Sequence, residues 1–581
     1  MNTIEPRLVR VETVGDLPVL WSCLQRLRLV EWFDLHFPTP PRWTGNLSCG
    51  DILAVWLLFL TSQGDHCLNH LQDWVQQHHG ILQALLGKPF RCLDCQDDRL
   101  ADLLDRLASG DAWHAFETDL NRHTLRVYDL PRDLIRLDTT TANSYAKVQS
   151  ERGLLQFGHS KDNADLPQVK IAAAVLDPLG LPLTTTVVPG NTADDPLYVP
   201  VIRQVQQTVG PGGRTYVGDC KMAALATRAY LASTGDFYLC PLSETQLSAE
   251  QRRHLLAAVW RGEQPLQQVR RPGPNDTAAE QLVAEGFVVE TVLTDTVDGQ
   301  SVTWTERRHV VRSLAYATSQ QRHLEQRLHK AETLLAELTV RKQGKKRLYH
   351  AELLAAAEDI VRRQRLTGLL SFAVQTLATK RPQRVYGSRP ADVVVDVSFE
   401  VTVQRQEEAI AQARRELGWQ VYGTNQLEMG LVAVVWGYRG QYRIEDDWSR
   451  LKGRSLGLTP LYLHEEGRIA GLVLLLSVAL RVLTLLEWVV RERLRRDGSK
   501  LQEVYAGQAG RKTARPSAEL LLTVLRTISI SVVEVAGQVC VLLSPLSAVQ
   551  QRLLDLWDLP PHLYENVILH FPKPPPFRSE P

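Results

Sequence analysis

Apolar residues recur at helical spacing through the first part of the chain, in Leu17–Val30, Ile52–Leu60, Leu68–Val75 and Leu100–Phe116. Each run puts its hydrophobic positions on one side of a helix. The proline cluster Phe37-Pro-Thr-Pro-Pro41 breaks the first from the second. From Leu134 the period changes to that of strands. Leu134–Asp138 is a short apolar run ending in an acid. Gln168–Leu176 and Leu181–Val188 follow as strands joined by the turn Asp177-Pro-Leu-Gly180. A helix over Pro196–Thr208, a strand over Thr215–Asp219, a helix containing Ala223–Leu231 and a strand over Asp236–Cys240 complete this block. Beyond it, Gly286–Thr294 and Val302–Val311 alternate like strands, with Asp298-Gly299 as the hairpin signal between them. Two long polar helices are expected near Gln320–Lys342 and Leu348–Leu377. Val393 to Val403 alternates again, and a helix rich in Glu and Arg runs to Leu417. After Thr424-Asn425 the pattern is helical, in Tyr438–Lys452, Ile469–Trp488, Leu520–Leu525 and Val549–Trp557.

Three sequential strands, a helix, and two more strands separated by a helix is the order of an RNase H-like sheet. The expected fold is therefore α/β: an RNase H-like mixed sheet flanked by helices, interrupted by a large mixed insertion and preceded by an N-terminal helical domain. The expected boundaries are 1–130 for the independent helical domain, serving DNA-end binding or dimerisation, and 131–240 for the first part of the sheet domain. The insertion takes 241–420 and the second part of the sheet domain 421–490. A basic and helical region over 491–581 ends in a Pro-rich tail from Phe571, expected to be disordered.

Composition narrows the class only a little. With 581 residues, 44% hydrophobic and 23% charged, the chain has the makeup of a soluble multi-domain protein, and a net charge of +1 neither favours nor opposes nucleic acid. The start, Met-Asn-Thr-Ile-Glu-Pro-Arg, lacks a secretory pattern, and eight cysteines are too few for a disulfide framework. A cytoplasmic, nucleoid-associated location follows as the expectation. The apolar run Ile469–Leu480, ended by Arg481, is too short for a bilayer and reads as a buried helix. Cys67-x2-His70 and Cys92-x2-Cys95 have spacings that suit a tetrahedral zinc site, but small thiols among Leu68, Leu71 and Trp74 read better as core filling. Arg341, Lys342 and Lys345–Arg347 form a basic knot that either contacts phosphate or is merely solvated. The basic stretch from Arg491 to Arg515 is expected to be a flexible linker.

Candidate chemistry centres on Tyr438–Lys452. Tyr438 lies seven residues before Glu445 and Lys452 seven after, close to two helical turns, so an unbroken helix would put all three on one face. One carboxylate cannot hold two metals, and two acids at strand ends, Asp138 and Asp219, are the natural partners. A carboxylate ending an apolar strand is costly to bury without a counterpart. Taken singly, each is equally a strand-end cap or a surface acid. Together, three such acids can seat two divalent ions about 3.5–4 Å apart. Magnesium suits them, because it takes a few carboxylates plus phosphate oxygens, and manganese substitutes.

These residues resemble a DDE transposase of bacterial insertion sequences, of the branch whose third acid lies in a Tyr-x2-Arg-x3-Glu-x6-Lys signature. Leu137-Asp-Thr-Thr140, Gly158-His-Ser-Lys-Asp162, Gly180-Leu-Pro-Leu183, Pro189-Gly-Asn-Thr192, Gly423-Thr-Asn425 and Ile444-Glu445 add to the likeness, which covers roughly residues 45–490. The resemblance implies Asp138, Asp219 and Glu445 as catalytic metal ligands. It also implies DNA contacts by Tyr438, Gln441, Arg443 and Lys452, a DNA-contacting insertion, and a homodimer bridging two terminal inverted repeats. Water would cut each element end, and the freed 3′-hydroxyl would attack target DNA. One position departs: Gln441 stands where the signature has Arg. That leaves the phosphate contact to Arg443 or Arg439, or weakens binding of the end. His159 and Lys161 are further candidates for approaching DNA. Three rivals stay open: an RNase H-like nuclease that never joins strands, a transposase-derived DNA-binding protein without catalysis, and a helical scaffold with no nucleic-acid partner.

Overall fold

The computed structural model describes residues 7–160, 162–271, 280–340, 348–383, 392–535 and 538–572. Its chain divides into two compact units, one of Met1–Cys240, Leu293–Trp304 and Gly437–Pro581 and another of Pro241–Val292 and Thr305–Trp436.

In the first unit, the β-branched and alanine-rich runs become the strands Leu134–Asn143, Gln168–Leu176 and Leu181–Pro189. Thr215–Val217 and Phe237–Pro241 follow. In space the order is Leu181–Pro189, Gln168–Leu176, Leu134–Asn143, Thr215–Val217, Phe237–Pro241. The first two pairings are antiparallel and the last two parallel. Residues along Gln168–Leu176 are buried almost without alternation, as befits a strand covered on both faces. Covering helices include Gly110–Val127, Tyr198–Val209 and Glu466–Arg496, each packed on Leu181–Pro189.

Glu466–Arg496 runs for 31 residues, and its apolar window is 94% buried within the protein. It outlasts the expected run because Arg481 does not end it: the guanidinium is buried against Glu117, Asn121 and Pro182. Leu17–Arg26, Cys49–Gln63 and Asp97–Leu107 all pack on this helix. The N-terminal helices therefore do not stand as an independent domain. Two expected helices are each split. Leu17–Val30 becomes Leu17–Arg26 and Leu29–His36, separated by Arg28 in the left-handed region. Leu100–Phe116 becomes parts of Asp97–Leu107 and Gly110–Val127. A small sheet absent from the sequence reading joins both ends of the chain, with Arg7–Thr13 beside Ser529–Val535 and that strand beside Gln538–Leu543. The basic stretch after Arg491 is not a loose linker either. Leu501 and Thr513 exchange two 2.8 Å backbone hydrogen bonds, and Leu501 and Val504 are buried.

The strands Trp419–Thr424, Gln300–Ser313, Gln281–Val297 and Gln267–Arg271, which belong to the second unit apart from the hairpin end Leu293–Trp304, lie side by side in that order. Asp298 and Gly299 both take positive φ, the geometry of a two-residue hairpin turn. Helices Leu314–Glu337 and His350–Arg363 pack with a second hairpin, Leu370–Gln383 against Asp392–Arg405. The long helix expected over Leu348–Leu377 thus stops at Arg363. Arg365 and Gly368 turn the chain through positive φ, and the remainder pairs as a strand, Phe372 with Val403 and Val374 with Val401. Cross-strand partners outweigh the local helical propensity. Lys161, the knot Arg341, Lys342 and Lys345–Arg347, and the tail after Pro572 lie outside the described residues.

Candidate active site

The parallel ladder between Leu134–Asn143 and Thr215–Val217 pairs Leu134 with Thr215, Ile135 with Tyr216 and Arg136 with Val217. Carried two residues further, this register sets Asp138 level with Asp219, just past the end of the shorter strand. Asp219 sits in a turn, and its Oδ1 accepts hydrogen bonds from the Tyr198 hydroxyl at 2.7 Å and the Lys221 amide at 2.8 Å. Burial first, then the adjacent Asp219 carboxylate, pushes the Tyr198 phenol well above its ordinary range, and Asp138 and Asp194 add to the effect. The Tyr198 hydroxyl therefore stays protonated and donates to Asp219. Asp138 Oδ2 accepts the indole N–H of Trp448 at 3.0 Å.

Arg136 shares the strand face of Asp138 and is 1% exposed. A charge so deep needs partners. It finds Asp177 at 2.7 Å and the Gly437 carbonyl at 2.9 Å. Its guanidinium lies where a side chain on residue 440 would stand, so Gly440 is the residue that lets the chain pass. Here the helical run breaks. Tyr438 ends up in the helix Leu431–Arg439, whereas Glu445 and Lys452 ride on the next one, Tyr442–Lys452. The expectation of one shared face for Tyr438, Glu445 and Lys452 thus holds only for the last two.

Two residues read as DNA contacts, both half-buried, have partners within the protein. Gln441 Nε2 donates to the Leu137 carbonyl at 3.0 Å, and Arg443 pairs with Asp177 at 2.7 Å. The cause is Arg136: it draws Asp177 to the helix start, where the same carboxylate takes Arg443 as well. Lys452 Nζ meets Asp162 at 3.0 Å and the Thr141 carbonyl at 3.4 Å. Glu445 itself is exposed, one helical turn before Trp448. On the far side of the helix, Arg450 pairs with Glu487 and Glu519 and ties it to Glu466–Arg496. His159 is exposed.

The sequence profile of the Transposase DDE domain matches residues 137–481, more than half of the chain. The chain belongs to the DDE transposase family. The matched span opens one residue before Asp138 and takes in Asp219 and Glu445. Among solved structures, similarity is found to a piggyBac transposase synaptic complex with hairpin DNA. It has 8% identity and a TM-score of 0.35, covering 99% of this chain and 90% of that one. Similarity at that level does not define a shared fold. Among curated proteins none matches the chain.

Within this transposase domain Asp194 and Asp177 are paired with cations. Asp194 accepts from Lys170 at 2.7 Å and Thr139 at 2.9 Å; burial raises its carboxyl, but these donors outweigh it and hold it below the usual range. Asp177 carries both Arg136 and Arg443. Arg136, Asp177, Tyr198 and Trp448 were not singled out in the sequence reading. The available signal was Arg136 itself, since an arginine on an apolar strand announces a buried acid. The four zinc candidates do not converge. Among the described residues, the group with ligand atoms within 4.8 Å of one another is Asp65, Cys67 and His70. Cys92 and Cys95 sit in a separate short turn. Cys67 caps the helix Leu68–Gln77 rather than lying inside it. Burial raises all three thiols, Cys95 to about 12, but Cys95 alone of the three is fully buried, while Cys67 and Cys92 are half-buried.

Proposed function

We propose that this chain is an insertion-sequence transposase that cuts the ends of its element and joins them to target DNA by phosphoryl transfer, with Asp138, Asp219 and Glu445 as its catalytic acids. What supports the reading is the parallel pairing of Leu134–Asn143, which carries Asp138, with Thr215–Val217, which ends two residues before Asp219, together with the Trp448 hydrogen bond that links the Glu445 helix to Asp138. The spatial strand order, three antiparallel strands followed by two parallel ones, supports an RNase H-like domain. The donor set is all carboxylate oxygen, which fits Mg2+ or Mn2+ rather than a thiolate-seeking metal. When bound, two such ions would make the attacking oxygen nucleophilic and stabilise the leaving one. The protein's part is to hold the acids, align the phosphodiester and exclude competing geometry. In the first step water attacks phosphorus and the P–O3′ bond breaks, leaving a 3′-hydroxyl. In the second that hydroxyl attacks a target phosphodiester and releases a target 3′-hydroxyl, with no covalent protein intermediate.

Lys452 and Tyr438 are assigned to the phosphate backbone of the element end, with Lys452 exchanging Asp162 for phosphate. Gln441 and Arg443 are assigned to holding the helix. Two copies bridging two ends, acting in the cytoplasm on the nucleoid, complete the reading. The test uses the inverted repeats flanking the gene as substrate. A precut end carrying a 3′-hydroxyl should be joined to plasmid DNA with Mg2+, and Asp138→Asn, Asp219→Asn and Glu445→Gln should each abolish joining. Hydrolysis without joining would replace the transposase with a nuclease.

A further inference from the structure

We infer that Tyr198 and Trp448 are positioning residues for the metal site, each an uncharged donor that fixes the rotation of one catalytic carboxylate. The inference rests on the reading of Asp138 and Asp219 as metal ligands and extends it to the groups that aim them.

Both donors are built in. Tyr198 is 3% exposed and Trp448 7% exposed. Each sits on a covering helix, Tyr198 at the first turn of Tyr198–Val209 and Trp448 in Tyr442–Lys452. The two acids are thus held from two different helices by buried groups. At Asp219 the Tyr198 hydroxyl and the Lys221 amide both fall on Oδ1, at 2.7 and 2.8 Å, which aims Oδ2 away from the turn. At Asp138 the indole falls on Oδ2, at 3.0 Å.

The chemistry of these donors matters as much as their place. A lysine or arginine there would offset the carboxylate charge that attracts a cation, as Lys170 does at Asp194 and Arg136 does at Asp177. A phenol or indole fixes geometry and leaves the charge in place, the role that hydrogen-bonded groups behind metal ligands usually fill. Trp448 has a second effect. It stands one turn after Glu445 on the same helix, so its bond to Asp138 sets how far that helix slides along the strand, and hence where Glu445 stands.

Mn2+ binding to the full-length protein, followed by the loss of the free-ion electron paramagnetic resonance signal, tests this directly. Tyr198→Phe deletes one oxygen and nothing else, and Trp448→Phe removes the N–H while keeping an aromatic ring. Each is expected to weaken Mn2+ binding by about 10–100-fold. The melting temperature of Tyr198→Phe should stay close to that of the wild type. Tyr564→Phe is the control: its hydroxyl is equally buried and donates to the Gly15 carbonyl at 2.7 Å, far along the chain, so Mn2+ affinity should not change. Wild-type affinity in both Tyr198→Phe and Trp448→Phe overturns the positioning role while leaving the metal site intact. A wild-type protein whose Mn2+ binding is indifferent to Asp219→Asn overturns the metal reading itself.

Discussion

Asp177 is the acid on which two elements of the site converge, and replacing it by Ala is the sharpest perturbation of the architecture. Its carboxylate takes Arg136 from the Asp138 strand and Arg443 from the Glu445 helix, both at 2.7 Å. The two partners are unequal. Arg136 is 1% exposed, and burial holds its guanidinium below the ordinary range despite the attraction of Asp177. Removing the carboxylate strands that charge, a loss of about 3–5 kcal/mol. Arg443 is 30% exposed, so its own pair contributes about 1 kcal/mol or less. With an unfolding entropy of about 2.1 cal/mol/K per residue over a unit of roughly 400 residues, 3–5 kcal/mol corresponds to a melting shift of about 4–6 °C. Activity should fall further than stability. A displacement of about 1 Å in the catalytic groups is worth on the order of 100-fold in rate. The assay pairs calorimetry with joining of a precut end. Asp177→Asn, which accepts hydrogen bonds without charge, should lie between Ala and wild type, and Arg443→Met should lose less than about 1 kcal/mol. An Asp177→Ala protein that melts within about 1 °C of wild type would refute the argument, because the buried Arg136 would then have no need of its acid.

The other predictions draw on separate parts of the molecule. Glu117 and Arg481 are 0% and 2% exposed, and burial shifts each toward its neutral form, the sign of a pair whose desolvation rivals its attraction. Glu117→Leu alone should therefore lose about 3–5 kcal/mol in thermal unfolding, whereas Glu117→Leu with Arg481→Met should recover most of it. Lys452→Ala should weaken DNA binding equally across sequences and reduce the slope of log K against log salt by about 0.9, read by filter binding at several salt concentrations. His309 is fully buried with both ring nitrogens unpartnered, and burial lowers it to about 4. As pH falls below about 6.5 the unfolded chain takes up the proton that the folded one refuses. Stability of the second unit should drop by about 3 kcal/mol between pH 6.5 and 4 and then level off. His309→Leu should flatten that dependence in denaturant titrations across pH.

How far the amino-acid order alone reached follows from the range of each interaction. Asp138 and Asp219 stood out because an apolar run closed by an acid is a local signal, read within five residues, although neither acid ends its strand: Leu134–Asn143 runs on past Asp138, and Thr215–Val217 stops two residues before Asp219. Glu445 stood out through spacing within one fifteen-residue run. What the reading missed is held by contacts that no window spans. Leu370–Gln383 looks helical until its partner Asp392–Arg405 is placed beside it. Arg7–Thr13 has too few apolar positions to announce a strand, with Leu8 and Val11 both exposed, and depends on Ser529–Val535 near the other end of the chain. The break inside Tyr438–Lys452 makes the physical point most clearly. Nothing between those residues forbids a continuous helix, and periodicity alone sets Tyr438 beside Glu445. The interruption comes from Arg136, 301 positions away, whose guanidinium takes the Gly437 carbonyl and crowds Gly440. Yet a trace of it was present, since Arg136 lies two residues before Asp138 and so on the same side of an apolar strand. A buried arginine there required a carboxylate and a carbonyl from elsewhere, and the only question was which segments would supply them. The same requirement explains why Gln441 and Arg443 have partners within the protein: once Arg136 has fixed the loop, the Leu137 carbonyl and Asp177 lie within their reach, and the helix that carries Glu445 is anchored through them.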